Sequence, residues 1–148
     1  KDFGTFMATI AKEIQSTGRP FKAPCLIFSA GETTTAIGSD DEITGHGGPS
    51  QELVTSFAIM ADELGLENVC MLSMDSEGTD GTCENAGGLT DSTSMKKAVE
   101  AGVDLRRHLE GHACYEALKA IKDGLFTGNT GTNLCDFNVL YVGEKSNK

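Results

Sequence analysis

The stretch Val69 to Met74 (VCMLSM) is apolar at every position except Ser73 and shows no alternation. A strand with one wet face reads apolar, polar, apolar, whereas a run of this kind reads as a strand covered on both faces. It calls for a sheet between layers, which a bundle of helices does not provide. Ala23 to Ala30 (APCLIFSA) and Phe137 to Val142 extend the pattern, and the β-branched Thr33 to Ile37 (TTTAI) and the short Leu125 to Thr127 read as further strands.

Helical patterns lie between them. Phe3, Phe6, Met7, Ile10 and Ile14 fall on one stripe, which Gly18 and Pro20 bring to a stop. Pro49 suits a first helical turn, Gln51 and Glu52 sit at its dipole, Leu53, Phe57, Met60 and Leu64 form the apolar stripe, and Gly65 ends it. Shorter helices are expected over 93–101, 104–110 and 113–122. Strand and helix alternate, which argues a three-layer α/β/α domain with a mixed, largely parallel sheet. A chain of 148 residues suffices for one such core. The expected organisation is an N-terminal helix and linker over 1–22, the α/β domain over 23–143 and a frayed tail over 144–148.

Charge narrows the function. Twelve basic against 22 acidic residues give a net charge of −10, which repels phosphate backbones and anionic lipid, so neither nucleic acid nor a membrane surface is an expected partner. The 5 cysteines are odd in number, scattered and never in a C-x-x-C pair, which reads as reduced thiols in a cytoplasmic protein. The sequence starts at Lys1 with its first helix already mid-pattern, so it is expected to be a piece of a longer protein.

Three loops concentrate glycine, threonine, asparagine and aspartate: Gly45 to Glu52 (GHGGPSQE), Asp75 to Glu84 (DSEGTDGTCE) and Gly128 to Asp136 (GNTGTNLCD). The first leads into a helix N-terminus, where free N–H groups attract an anion and glycine allows close approach; it is also an ordinary way to reverse a chain. In the second, Asp75, Glu77, Asp80 and Glu84 read either as a Mg²⁺ or general-base cluster or as a solvated turn. In the third, Thr127, Thr130, Thr132 and Asn133 are either donors to phosphate or acid oxygens or plain turn formers. His46 sits within the glycine loop, in reach of a ligand. His108 and His112 flank a helix end, where capping and dipole roles are the ordinary use.

Four strings in this order, SAGETTTAIG, GHGGPSQEL, DSEGTDGTCENAGG and TGNTGTNLCD, resemble the motifs of the C-terminal MOFRL domain of the glycerate 2-kinase family, from about Ala8 to Gly143. The resemblance implies an ATP- and Mg²⁺-dependent phosphorylation of D-glycerate or a related small hydroxy acid. The active site would lie in a cleft shared with a missing N-terminal Rossmann-like domain. It implies cleft roles for Gly31 and Glu32, for Gly47, Gly48, Gln51 and Glu52, for Thr79, Asp80 and Gly81, and for Thr130, Gly131, Thr132, Asn133 and Asp136. Asp80 is the expected catalytic residue and metal ligand, because phosphoryl transfer needs a carboxylate for the metal or for the hydroxyl proton. Members of that family have also been named hydroxypyruvate reductases, so an NAD(P)H-dependent oxidoreductase is the alternative, and a non-catalytic binding module is the expectation for the isolated piece. A homodimer is left open.

The chain also departs from the family's wording. Pro49 and Ser50 stand where the family's loop commonly has Arg and Asn, which removes a cationic contact. His112, Ala113, Cys114 and Tyr115 stand where an Asn-Asp-Ser-Tyr run is expected.

Overall fold

The computed structural model describes residues 1–145; the last three positions of the expected tail lie outside the described residues. Ten elements follow in order: α1 (Asp2–Thr17), β1 (Cys25–Gly31), α2 (Pro49–Glu63), β2 (Val69–Asp75), β3 (Gly87–Asp91), α3 (Ser94–Ala101), α4 (Leu105–Glu110), α5 (Cys114–Ala120), β4 (Gly124–Leu125) and β5 (Asp136–Val142). No described helix is long and apolar enough to cross a membrane.

The strands form one sheet in the order β1-β5-β2-β3-β4, and every neighbouring pair is antiparallel. This corrects the expectation of a largely parallel sheet. β1 and β2, joined through α2, do run in the same direction, as the alternation of elements implies. They never pair, because β5 inserts between them with Ile27 and Met71 both facing Leu140.

The helices pack on one face, with α2 over β2 and β3 and α1 over β5. Met7, Ala11 and Ile14 of α1, Leu53 and Phe57 of α2, and Met71, Leu140 and Val142 of the sheet form the buried core. Gly4 lets α1 cross α2 closely, since a Cβ there would stand 2.0 Å from the Leu53 carbonyl oxygen. Phe6, expected on the buried stripe of α1, is half-exposed and stacks on Phe3.

The other face of the sheet is apolar and open. Leu26, Phe28, Leu89, Phe137 and Tyr141 are exposed there, with the Phe28 and Phe137 rings 6.0 Å apart. The two-sided pattern of Val69 to Met74 is therefore real, with Val69, Met71 and Ser73 beneath the helices and Cys70, Leu72 and Met74 turned toward that second face. Among the described residues no helix covers it, so two layers stand where three are expected.

Two local readings also change. Thr33 to Ile37 is not a strand: pairing of β1 ends at Gly31 opposite Asp136, and Thr33 gives its N–H to the Asp136 carboxylate instead of to a strand. β3 carries no propensity signal because it opens with Gly87 and Gly88. A Cβ on Gly88 would meet Val54 Cγ2 at 2.7 Å, so the close seat of α2 on the sheet is what requires glycine there.

Candidate functional site

α2 begins at the glycine loop, with Gly48 as its N-cap and Pro49 at the first turn. The two carboxylate oxygens of Asp80 accept the N–H groups of Ser50 at 3.2 Å and Gln51 at 2.9 Å, so a carboxylate of the chain itself fills the anion position at this helix end. Gln51 Nε2 also reaches the Asp80 carbonyl at 3.4 Å.

The glycines follow from this packing. A Cβ on Gly48 would stand 2.4 Å from Asp80 Cγ, and one on Gly81, itself at φ +63°, would stand 2.4 Å from the Gly47 carbonyl oxygen. Glycine here lets two backbones of the protein approach each other, not a bound anion. Asp80 is 1% exposed. Its burial pushes the carboxyl up to about 6, opposed by the bonds from Gln51 and Ser50 and reinforced by the nearby Asp136 carboxylate. The residue expected to be catalytic is thus a buried carboxyl bonded to two amides of α2.

Asp136, also buried, ties three segments together. It accepts the N–H and the hydroxyl of Thr33, and its second oxygen lies 3.4 Å from the Ser50 hydroxyl. The start of β5, the segment after β1 and the first turn of α2 are thereby fixed relative to one another.

Next along α2, Glu52 points the other way. His112 Nδ1 lies 2.6 Å from Glu52 Oε1, and His112 Nε2 lies 3.7 Å from Asp41 Oδ2. His112 follows the end of α4 at φ +53°, a left-handed conformation uncommon outside glycine and asparagine, and the turn is closed by the Ala113 N–H on the His108 carbonyl at 2.8 Å. His112 borders two cavities, one of about 210 Å³ lined also by Phe3, Thr33 and Thr34, and one of about 320 Å³ lined also by Gly45, Gly47 and Gly81. Pro49 and Glu52 line both.

A second rim is built from Glu77, Thr79, Gly131, Thr132 and Asn133. The Thr130 N–H bonds the Glu77 carbonyl at 3.1 Å, the Thr130 hydroxyl bonds the Ser76 carbonyl, and the Asn133 amide bonds the Glu77 carboxylate. Gly31 and Glu32 border a separate small depression with Phe3 and Asn138.

The structure thus gathers Gly47, Glu52 and Gly81 around one cavity and Thr79 with Gly131, Thr132 and Asn133 around another. Asp80, Gln51 and Asp136 lie beneath as supports. Sequence reading gave His112 only a role at the helix end and passed over Asp41 and Thr33. His112 meets Glu52 across 60 residues, and no local pattern signals such a contact. Among the described residues no group of three or more His, Cys, Asp or Glu side chains could hold a metal ion.

Comparison with known proteins places this arrangement. The chain is 39% identical over 98% of its length to a glycerate 2-kinase of Pyrococcus horikoshii and 37% identical over 92% to a D-glycerate 2-kinase of Thermotoga maritima. Two Agrobacterium vitis proteins, each 35% identical, carry a provisional hydroxypyruvate reductase name. Its fold superposes on a Pyrococcus horikoshii crystal structure with a TM-score of 0.87 at 38% identity, covering 97% of this chain and 32% of that one. The crystal structure of Thermotoga maritima glycerate kinase also gives 0.87, at 35% identity over 95% of this chain and 33% of that one. The chain spans about a third of the length of the curated relatives it matches, 32% in the Pyrococcus case. The MOFRL family model matches residues 25–136, and the chain belongs to the MOFRL family.

Proposed function

We propose that this chain forms one wall of the active-site cleft of an ATP-dependent glycerate kinase, the other wall being an N-terminal Rossmann-like domain of a longer polypeptide. The observation that carries the reading is the likeness, along nearly the whole chain, to a protein named glycerate 2-kinase. The convergence of Gly47, Glu52 and Gly81 on one cavity supports it. Phosphoryl transfer asks mainly for positioning and charge stabilisation, and rigid loops anchored at helix and strand ends are suited to that.

In this proposal Glu52, Gly47 and Gly81 face the hydroxy acid, while Thr79, Thr130, Gly131, Thr132 and Asn133 form the rim toward the nucleotide. Gly31 and Glu32 contribute the edge near β1. Asp80 acts by position: its carboxylate is committed to two amides of α2, and metal ligation by it would require the loop to open. The described residues do not fit a resident metal site, so Mg²⁺ would enter held by the nucleotide's phosphates. One wall alone cannot exclude water or align two substrates, so the isolated chain is expected to be inactive.

The test is ADP release by the longer polypeptide supplied with ATP·Mg²⁺ and D-glycerate. Release dependent on the hydroxy acid supports the reading, and its absence for every short hydroxy acid overturns it. The reductase name of the two Agrobacterium vitis relatives favours the second reading, which predicts NAD(P)H oxidation by the same polypeptide on hydroxypyruvate.

A further inference from the structure

We propose that the open face of the sheet is a packing surface for the N-terminal domain of the longer polypeptide, which would then hold this chain by a second surface beside the cleft; this rests on the two-domain organisation of the reading above. The face is continuous across strands. Phe28, Val139, Leu72 and Leu89 stand side by side on β1, β5, β2 and β3. One row away, Leu26, Tyr141 and Cys70 pair in the same manner, with Asp91 opposite Cys70 at the corner.

Among the described residues of these rows Asp91 carries the one charge, and that charge is already compensated. Its carboxylate accepts the N–H and the hydroxyl of Thr93 at 2.7 and 2.6 Å and lies 3.8 Å from Lys97 Nζ. A chain of net charge −10 thus keeps this face apolar and nearly neutral, which suits an apolar partner surface. The unbroken apolar run of β2 points the same way, since a strand with one wet face would alternate.

Size narrows the partner. Three positions about 6.8 Å apart along four strands about 4.8 Å apart give a footprint of roughly 20 by 19 Å, or about 400 Å². A stable complex takes about 800 Å² from each partner, so a second copy seated on this face alone would have about half of that. The N-terminal domain is not confined to the face. The remaining row, Ala30, Phe137 and Met74, directly adjoins Gly31, Asp136 and Asp75, where the loops of the candidate site begin. One body can therefore cover the site loops and the apolar rows together. There is chain enough for it in the relatives, since this one spans 32% of the Pyrococcus horikoshii glycerate 2-kinase.

The experiment measures maleimide labelling, site by site by mass spectrometry, in the longer polypeptide carrying Leu26→Cys or Val99→Cys. With nothing over the sheet, position 26 at 55% exposed and position 99 at 75% exposed should react at similar rates. With the face covered, Leu26→Cys should react about tenfold or more slowly, and the ratio should persist on hundredfold dilution. Equal rates overturn the proposal. Protection that vanishes on dilution also overturns it, because a second copy then covers the face. Should Leu26→Cys fail to fold, hydroxyl-radical oxidation of Phe28 and Tyr141 in the parent decides: slow in the native polypeptide and fast in urea supports the proposal, and equal rates in both overturn it. Labelling reads packing and ADP release reads turnover, so a polypeptide that is protected yet releases no ADP overturns the kinase chemistry and leaves this surface standing.

Discussion

Replacing Asp80 by asparagine should remove a pH dependence of stability that the structure attaches to one buried carboxyl. Asp80 is 1% exposed, and its carboxyl is held at about 6 in the folded chain against an ordinary value of 3.8. Between those values the folded state keeps a proton that the unfolded state has released, so stability falls as pH rises through this window. The contribution of the neutral acid is complete below the unfolded value and gone above the folded one. A difference of about 2 units at about 1.4 kcal/mol each, incompletely titrated at the lower end, gives about 2 to 3 kcal/mol between pH 4 and 7. Urea unfolding of parent and Asp80→Asn at intervals over this range isolates the effect of Asp80 and its coupling to Asp136, because carboxyls remote from the site titrate alike in both proteins and cancel in the difference. The parent should gain about 2 to 3 kcal/mol relative to the variant as pH falls from 7 to 4. A flat difference would show that the Asp80 carboxyl is solvated like an ordinary surface acid, and would refute its burial as the cap of α2.

Two further outcomes follow from the same packing. Gly48→Ala places a methyl group 2.4 Å from Asp80 Cγ and should cost about 1–3 kcal/mol, read as a lower urea midpoint at unchanged slope. Cys114 has no exposed surface, and burial pushes its thiol up to about 12, while Cys135 is exposed. A disulfide-exchange reagent at mildly alkaline pH should label Cys135 in the folded chain and leave Cys114 unmodified until denaturant is added.

What could be read from sequence was whatever local pattern determines. α2 shows itself through Pro49, its apolar stripe and Gly65, and the helix runs from Pro49 to Glu63. β2 shows itself through its unbroken apolar run. Strand order does not show, because antiparallel insertion of β5 depends on distant residues, such as Cys25 with Val142 and Val69 with Val142, choosing one another over nearer partners. β3 was hidden because the glycines that admit α2 are the residues that propensity counts against a strand. The glycine loop was recognised as special, but composition cannot say whether the close-approaching group is a ligand or the protein's own Asp80. The contact of His112 with Glu52 was invisible for the reason that hid the strand order.

The position of β5 governs how the molecule can come into being. β1 and β2 both pair with β5 and not with each other, and β5 is the last of the described elements. A nascent chain that has emerged as far as Leu134 contains every described helix, yet Cys25–Gly31 and Val69–Asp75 still have an unpaired edge where β5 belongs. Folding must wait for Asp136–Val142, and loop closure over nearly the whole length makes that step slow. Through this interval the edges of two strands are available to any other chain, an aggregation hazard that the arrival of β5 removes at that position.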